Sequence, residues 1–480
     1  MASGAFPNDA SARAPTGAVF ALTVAALVVR VAFVLLEPGS KLAGDEWTWY
    51  RWALSPPGGV ASETVRFSPL RTNLVFEPPL YPYFIAALHE AAGGEPETKL
   101  LAVKLGQALL GALLVLAVGR TGTRVFGPRV GTWAAAFAAF YPELVWFAAH
   151  FWSETLFLTL LWWAIERLLA SEDSPAYGRL VAAGVLWGLA CLTRETVLYF
   201  IPLVALWLVW GTPRRWRRGA LFATVALLTV APWTYRNWVV FHAFIPVGTA
   251  GGQNLFQSNA GIDRDVTYEM VKAIKGRDRR EVAVLQYQYA RRMGIEAILA
   301  RQPLWIFEKL YEQMPNFWEA DSLALVHVKR GADTPAGGYG PMSVRAAWAV
   351  AIVILVPYLA LLAGFVAGLR SLPWTRGSVL LLGFLVFYNA LHVVAHGFAR
   401  YRMPALPVLF LVAAWALAAP AAARAASRGR SLLALAVALV LGVSIVPSIR
   451  KDLAHPALGG GGARETEAPA VGGEAEDPQP

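Results

Sequence analysis

Charged loops divide the chain into about eleven apolar blocks, most of them close to the ~20 residues that an α-helix needs to cross a bilayer. This pattern restricts the fold more than any single motif does. Lipid offers no water to backbone N–H and C=O groups, so a chain of this kind folds as a bundle of α-helices. The pattern predicts spans at 17–36, 99–118, 130–149, 152–169, 179–193, 196–210, 219–236, 344–369, 377–396, 404–421 and 431–449. The two around 179–210 are short because Arg194 and Glu195 require a turn between them. The first block, Gly17 to Leu36, lacks a small-residue cleavage site and is long enough to stay as a helix. The expected fold is all-α: a polytopic membrane bundle with two large outer loops carrying interfacial helices.

Charge orients the bundle. Only 15% of residues are charged, against about 25% in an ordinary soluble domain. The net charge of +10 invites a nucleic-acid reading. Most of it, however, lies in short loops between apolar blocks, which makes it a topology signal and leaves no nucleic-acid partner. The loops after the second, fourth, sixth, eighth and tenth spans hold fourteen basic residues, among them Arg120, Arg167, Arg218 and Arg376. The opposite loops, the longest set aside, hold seven. The positive-inside rule then makes 1–16 a cytoplasmic tail and puts loops 37–98 and 237–343 outside. Within the long loop, Val282, Leu285, Tyr289, Met293, Ala297 and Ala300 mark one face of an amphipathic helix, ended by Pro303. The Gly-, Pro- and Glu-rich tail, 451–480, reads as disordered. The single cysteine, Cys191, excludes an internal disulfide.

Chemistry-bearing residues gather at the outer helix ends. Asp45 and Glu46, followed by Tyr50, come just after the first span. Adjacent carboxylates beside a low-dielectric region can do acid–base work, although a solvated loop with incidental acids has the same spelling. Later in that loop, Glu77-Pro78-Pro79-Leu80-Tyr81-Pro82 sets a rigid re-entry into the membrane. Tyr141-Pro142-Glu143 and Ser153-Glu154 flank the turn between the third and fourth spans. Arg194, Arg236, Arg400 and Arg402 each stand at an outer helix end, and guanidinium groups converging there suit a phosphate. Headgroup contact or snorkelling is an equally good reading of any one of them. His392 and His396, four apart, could share a metal but lack a clear third ligand, so packing is the default and no metal is expected. His89-Glu90 is not followed by the second histidine of a zincin, and neither a Walker A loop nor a nucleophile elbow occurs.

In order along the chain, these pieces resemble the GT-C superfamily of membrane glycosyltransferases. The nearest match is glycosyltransferase family 39, with its protein O-mannosyltransferase and aminoarabinose transferase branches. The resemblance rests on Asp45-Glu46 with Tyr50, Glu77 to Pro82, Tyr141-Pro142 with Ser153-Glu154, and Leu192-Thr193-Arg194. It continues through Pro232-Trp233-Thr234-Tyr235-Arg236-Asn237 and Gly251-Gly252-Gln253-Asn254-Leu255 to Arg400-Tyr401-Arg402-Met403-Pro404. It implies one transferase domain over 17–450, on the cytoplasmic membrane of a bacterium with its active face outside. It also implies a polyprenyl-phosphate-linked sugar as donor and a lipid, glycan or protein hydroxyl as acceptor. Asp45 would be the general base of an inverting transfer, and Glu46 would tune it or position the acceptor. Arg194, Arg236, Arg400 and Arg402 would neutralise the carrier phosphate. Tyr50, Glu77, Tyr81 and Glu154 would stand on the acceptor side or behind it. The resemblance implies no essential metal, and no cofactor is expected.

A transporter or lipid flippase is the competing reading. It would call for ionisable residues at mid-membrane or for paired broken helices. Arg30 and Lys104, the main intramembrane charges, lie instead towards the outer end.

Overall fold

The computed structural model describes residues 17–37, 42, 45–54, 77–173, 177–210, 216–260, 279–320, 322–330, 343–419 and 428–453. The 1–16 tail and nearly all of the 451–480 tail lie outside them. Among the described residues every regular element is helical.

Two spans begin and end where the apolar pattern puts them: α1 at Gly17–Leu36 and α15 at Val344–Leu369. Between them run α2 (Asp45–Leu54), α3 (Leu80–Ala92), α4 (Pro96–Phe126), α5 (Pro128–Phe140), α6 (Pro142–Ala149), α7 (Glu154–Ser171) and α8 (Gly178–Thr193). A 3-10 stretch, Glu195–Phe200, leads into α9 (Ile201–Val209), and α10 (Trp216–Phe241) follows. The long outer loop holds α11 (Ala250–Asn259), α12 (Arg279–Ala300), α13 (Trp305–Trp318) and α14 (Leu323–Arg330). After α15 come α16 (Arg376–Val394), a 3-10 stretch at Ala399–Ala405, α17 (Leu406–Ala418) and α18 (Arg428–Leu453). Among the described residues, six helices are long and apolar enough to cross a membrane, with Gly178–Thr193 and Glu195–Val209 as shorter apolar ones.

The departures from expectation have local causes. The single span read over 130–149 is two helices, because Pro142 forces Tyr141 into extended backbone (φ −67°, ψ 120°). That break leaves the last carbonyls of α5 without intrahelical donors. Arg30, fully buried in α1, supplies them: its guanidinium donates to Ala138 O at 3.0 Å and Ala139 O at 2.9 Å. The intramembrane arginine is therefore a helix cap. In α12 the buried face is Val282, Ala290 and Gly294, against α11. Leu285, Tyr289, Met293 and Ala297 of the expected stripe are only half-buried, and Ala300 is exposed. Gly294 accompanies the shift: a Cβ there would stand 3.1 Å from the Leu255 backbone, tighter than an ordinary contact, so glycine favours this close approach of the two helices.

α7 is the axis of the molecule, buried on nearly every side and packed mainly against α4 and α8. Glu154 opens it and Glu166 lies about 18 Å further along at 1.5 Å per residue. At the Glu166 end, Arg120, Arg124 and Arg167 converge on that buried carboxylate at 3.0, 3.5 and 2.6 Å. Arg376 and Arg218 reach Glu172 beside it, at 3.2 and 3.7 Å. The basic loops are thus held in an ion-pair network at one end of the bundle. The Glu154 end carries a cavity.

Candidate active site

The cavity has a volume of about 450 Å³, within the range of small-molecule sites. Six pieces of chain meet around it: α2, Glu77-Pro78 ahead of α3, the link between α6 and α7, the α8 end with the 3-10 turn after it, α11, and the α16–α17 connection.

An ion triplet dominates one wall. Glu154 Oε1 accepts from Arg194 Nη1 at 2.6 Å and stands 3.6 Å from Arg400 Nε. Arg194 reaches it because α8 stops at Thr193 and Arg194 turns to extended backbone (φ −151°, ψ 121°). The Arg400 guanidinium lies over Trp152 at 4.5 Å and over Tyr401 at 5.2 Å, and Arg194 lies over the same Tyr401 ring at 5.6 Å. Both cations are thereby held with their planes fixed. Two guanidinium groups face one carboxylate, so the triplet carries one net positive charge. It is suited to an anion that has at least two oxygens to share.

Two further carboxylates, Glu195 and Glu77, are in the lining. Glu195 Oε1 accepts from the Gly251 N–H at 2.9 Å. A Cβ at Gly251 would come within 2.3 Å of that oxygen, so any larger residue there would push the carboxylate aside. Glu195 stood in the sequence beside Arg194 without a role. Its pairing with a residue 56 positions away had no local signal.

Of the residues expected at the site, Glu77, Glu154, Arg194 and Arg400 line the cavity together. Asp45 is the first residue of α2, whose Thr48 and Trp49 line the cavity, but its side chain lies outside the described residues. Glu46 is buried and accepts from the Phe151 N–H at 2.8 Å, so it fixes the link that carries Trp152 and Glu154. Tyr50 is bonded to His89 Nε2 at 3.1 Å, and buried Tyr81 donates to Gln107 at 2.7 Å. Both lie behind the wall. Arg236 stacks on Trp233 at 4.7 Å and donates to Asn237 at 3.0 Å, away from the cavity. Arg402 also faces away: it is buried 3.7 Å from Glu143, with its guanidinium 4.3 Å over Tyr358.

His392 and His396 both line the cavity. His392 Nδ1 donates to Tyr388 O at 2.7 Å, and its ring packs on Tyr388 and Tyr401. His396 lies beyond the end of α16, where burial, with Arg400 and Lys309 adding to it, pushes the imidazole below its ordinary pKa. Among the described residues no three His, Cys, Asp or Glu side chains are grouped as a metal site.

Residues 76–236 match the dolichyl-phosphate-mannose-protein mannosyltransferase family. The structure matches the archaeal oligosaccharyltransferase AglB from Archaeoglobus fulgidus in complex with an inhibitory peptide and a dolichol-phosphate. That match has a TM-score of 0.51 at 18% identity and covers 93% of this chain and 56% of the archaeal one. At that identity the likeness shows a shared fold. An Archaeoglobus fulgidus oligosaccharyltransferase in complex with Zn and sulfate gives a TM-score of 0.50 at 16% identity, over 93% and 54% of the two chains. ArnT from Cupriavidus metallidurans bound to undecaprenyl phosphate matches at 19% identity and a TM-score of 0.41, over 83% and 78%. The chain therefore spans little more than half the length of AglB. No curated protein sequence matches it. On this frame the ion triplet sits where three helix breaks meet, at Trp152–Ser153, at Arg194 and at Ala399–Ala405.

Proposed function

We propose that the chain moves a sugar from a polyprenyl-phosphate carrier to an acceptor hydroxyl, with inversion, at the outer face of the cytoplasmic membrane. The observation that carries this reading is the Arg194–Glu154–Arg400 triplet in the wall of a cavity at one end of the helical bundle. The acceptor oxygen attacks the anomeric carbon, the bond to the carrier phosphate breaks, and the phosphate leaves with the bonding pair. Arg194 and Arg400 stabilise the charge that develops on it, the kind of preorganised electrostatic contribution that dominates many transfers. Asp45, at the start of the helix whose next turn lines the cavity, takes the acceptor proton. Glu46 contributes through its grip on Phe151, and Arg402 through its grip on the turn that bears Arg400. Arg236 has the weakest case for a phosphate contact, given its stacking on Trp233.

The dolichol-phosphate bound by the archaeal relative supports a lipid phosphate as the carrier, as does the mannosyltransferase match over 76–236. The acceptor is a lipid, glycan or protein hydroxyl. The basic network around Glu166 fits the cytoplasmic face under the positive-inside rule, which puts the cavity outside and 1–16 inside. Residues 17–450 then form one transferase domain. The test is turnover of polyprenyl-phosphate sugars by the purified protein. Arg400→Ala and Arg194→Ala should each lower kcat/KM for the donor by about 10²–10³-fold. Unchanged turnover in both would remove the triplet from the mechanism. Substrate flux without cleavage of the donor would favour a transporter.

A further inference from the structure

Glu154 is an odd neighbour for a phosphate site. It is 1% exposed, it spends Oε1 on Arg194 and Arg400, and its buried Oε2 has no hydrogen-bond partner among the described residues. A carboxylate repels a phosphate, yet this one holds the N–H groups that a phosphate needs. Both arginines also share the Tyr401 ring, at 5.6 and 5.2 Å from its centroid.

We propose that Glu154 is a built-in competitor that lowers the affinity of the arginine pair for the released carrier. This rests on the polyprenyl-phosphate reading given above. The donor is a phosphodiester with one negative charge. The product, polyprenyl phosphate, is a monoester that gains most of a second charge at neutral pH, since its second pKa lies near 6. Two unopposed guanidinium groups would hold the dianion more tightly than the donor and stall turnover at product release. A fixed carboxylate penalises the dianion more than the monoanion and gives the arginines an alternative partner as the carrier departs. Glu154 is thus a residue that sets donor-over-product preference by acting through Arg194 and Arg400.

The test is binding of undecaprenyl phosphate, and inhibition by it, with the full chain in nanodiscs. Glu154→Gln keeps the shape and removes the charge. It should bind the monoester about tenfold tighter or more, the scale of one charge-assisted hydrogen bond no longer contested. Its kcat should fall while KM for the donor does not rise. Glu154→Asp, which keeps the charge, should bind like the wild type. A purely structural role predicts that Glu154→Gln weakens binding, and equal or weaker binding in a variant that melts like the wild type would overturn the proposal. If the wild type binds no undecaprenyl phosphate and Arg400→Ala changes nothing, the carrier reading itself fails and this inference with it.

Discussion

Arg402 offers a sharp test of how the site is held. It is two residues from Arg400 but buried on the other side of the turn, 3.7 Å from Glu143, and its Nη1 donates to the Glu319 carbonyl at 2.5 Å. The Tyr358 ring lies 4.3 Å beneath it. Arg402→Met keeps the stem and deletes the charge, leaving the Glu143 carboxylate, 4% exposed, facing an apolar thioether. Removing one partner of a buried pair costs about 3–5 kcal/mol. The lost cation–π contact contributes about 2 kcal/mol of that sum when desolvated. At about 2–4 °C per kcal/mol for large domains, the melting midpoint should fall by roughly 6–20 °C. Glu143→Gln alone should also destabilise, by stranding the guanidinium. The double variant should be less destabilised than the two singles added together, by about 1–3 kcal/mol of coupling. Thermal unfolding in nanodiscs, followed by tryptophan fluorescence, measures all three. A midpoint for Arg402→Met equal to the wild type, or strict additivity in the double variant, would refute the reasoning.

Two further outcomes follow from the geometry. Gly251→Ala should displace the Glu195 carboxylate, because the new Cβ would lie 2.3 Å from its oxygen; the broken 2.9 Å hydrogen bond should cost about 1–2 kcal/mol and lower turnover, read by melting and by initial rates. Glu37, just past the end of α1, is pushed up by burial but held below the usual carboxylate range overall by His150, 3.1 Å away, and Lys104, 3.3 Å away. A lowered folded-state pKa means that its contribution is present above the unfolded-state value and is lost as pH falls through the folded one. Melting midpoints should therefore drop on the acid side of the ordinary glutamate range in the wild type, and Glu37→Gln should flatten that limb; parallel acid limbs would contradict the assignment.

The bundle was largely legible because bilayer thickness imposes one length on every span, as α1 and α15 illustrate. The breaks were less so. Pro142 does carry a local signal, since a residue before proline avoids helix, yet an apolar run on both sides hid it. The opposed directions of Arg400 and Arg402 were not visible while that stretch read as loop. In a 3-10 turn each residue advances about 120°, so residues two apart point about 240° around the axis. One arginine reaches the cavity and the other Glu143. Glu154, Arg194 and Arg400 were readable as charged groups at helix ends on one face. Their convergence depends on contacts 40 to 246 residues apart, which no spacing encodes. The anchors behind them, Glu46 on Phe151 and Glu37 on His150, are of the same long-range kind.

The most direct measurement is release of polyprenyl phosphate from a polyprenyl-phosphate-linked sugar by the purified chain supplied with cell-envelope acceptors, comparing the wild type with Asp45→Asn. The account predicts release by the wild type and a fall of about 10²–10⁴-fold in the variant, the range that a general base contributes. Release at the same rate from both would contradict it.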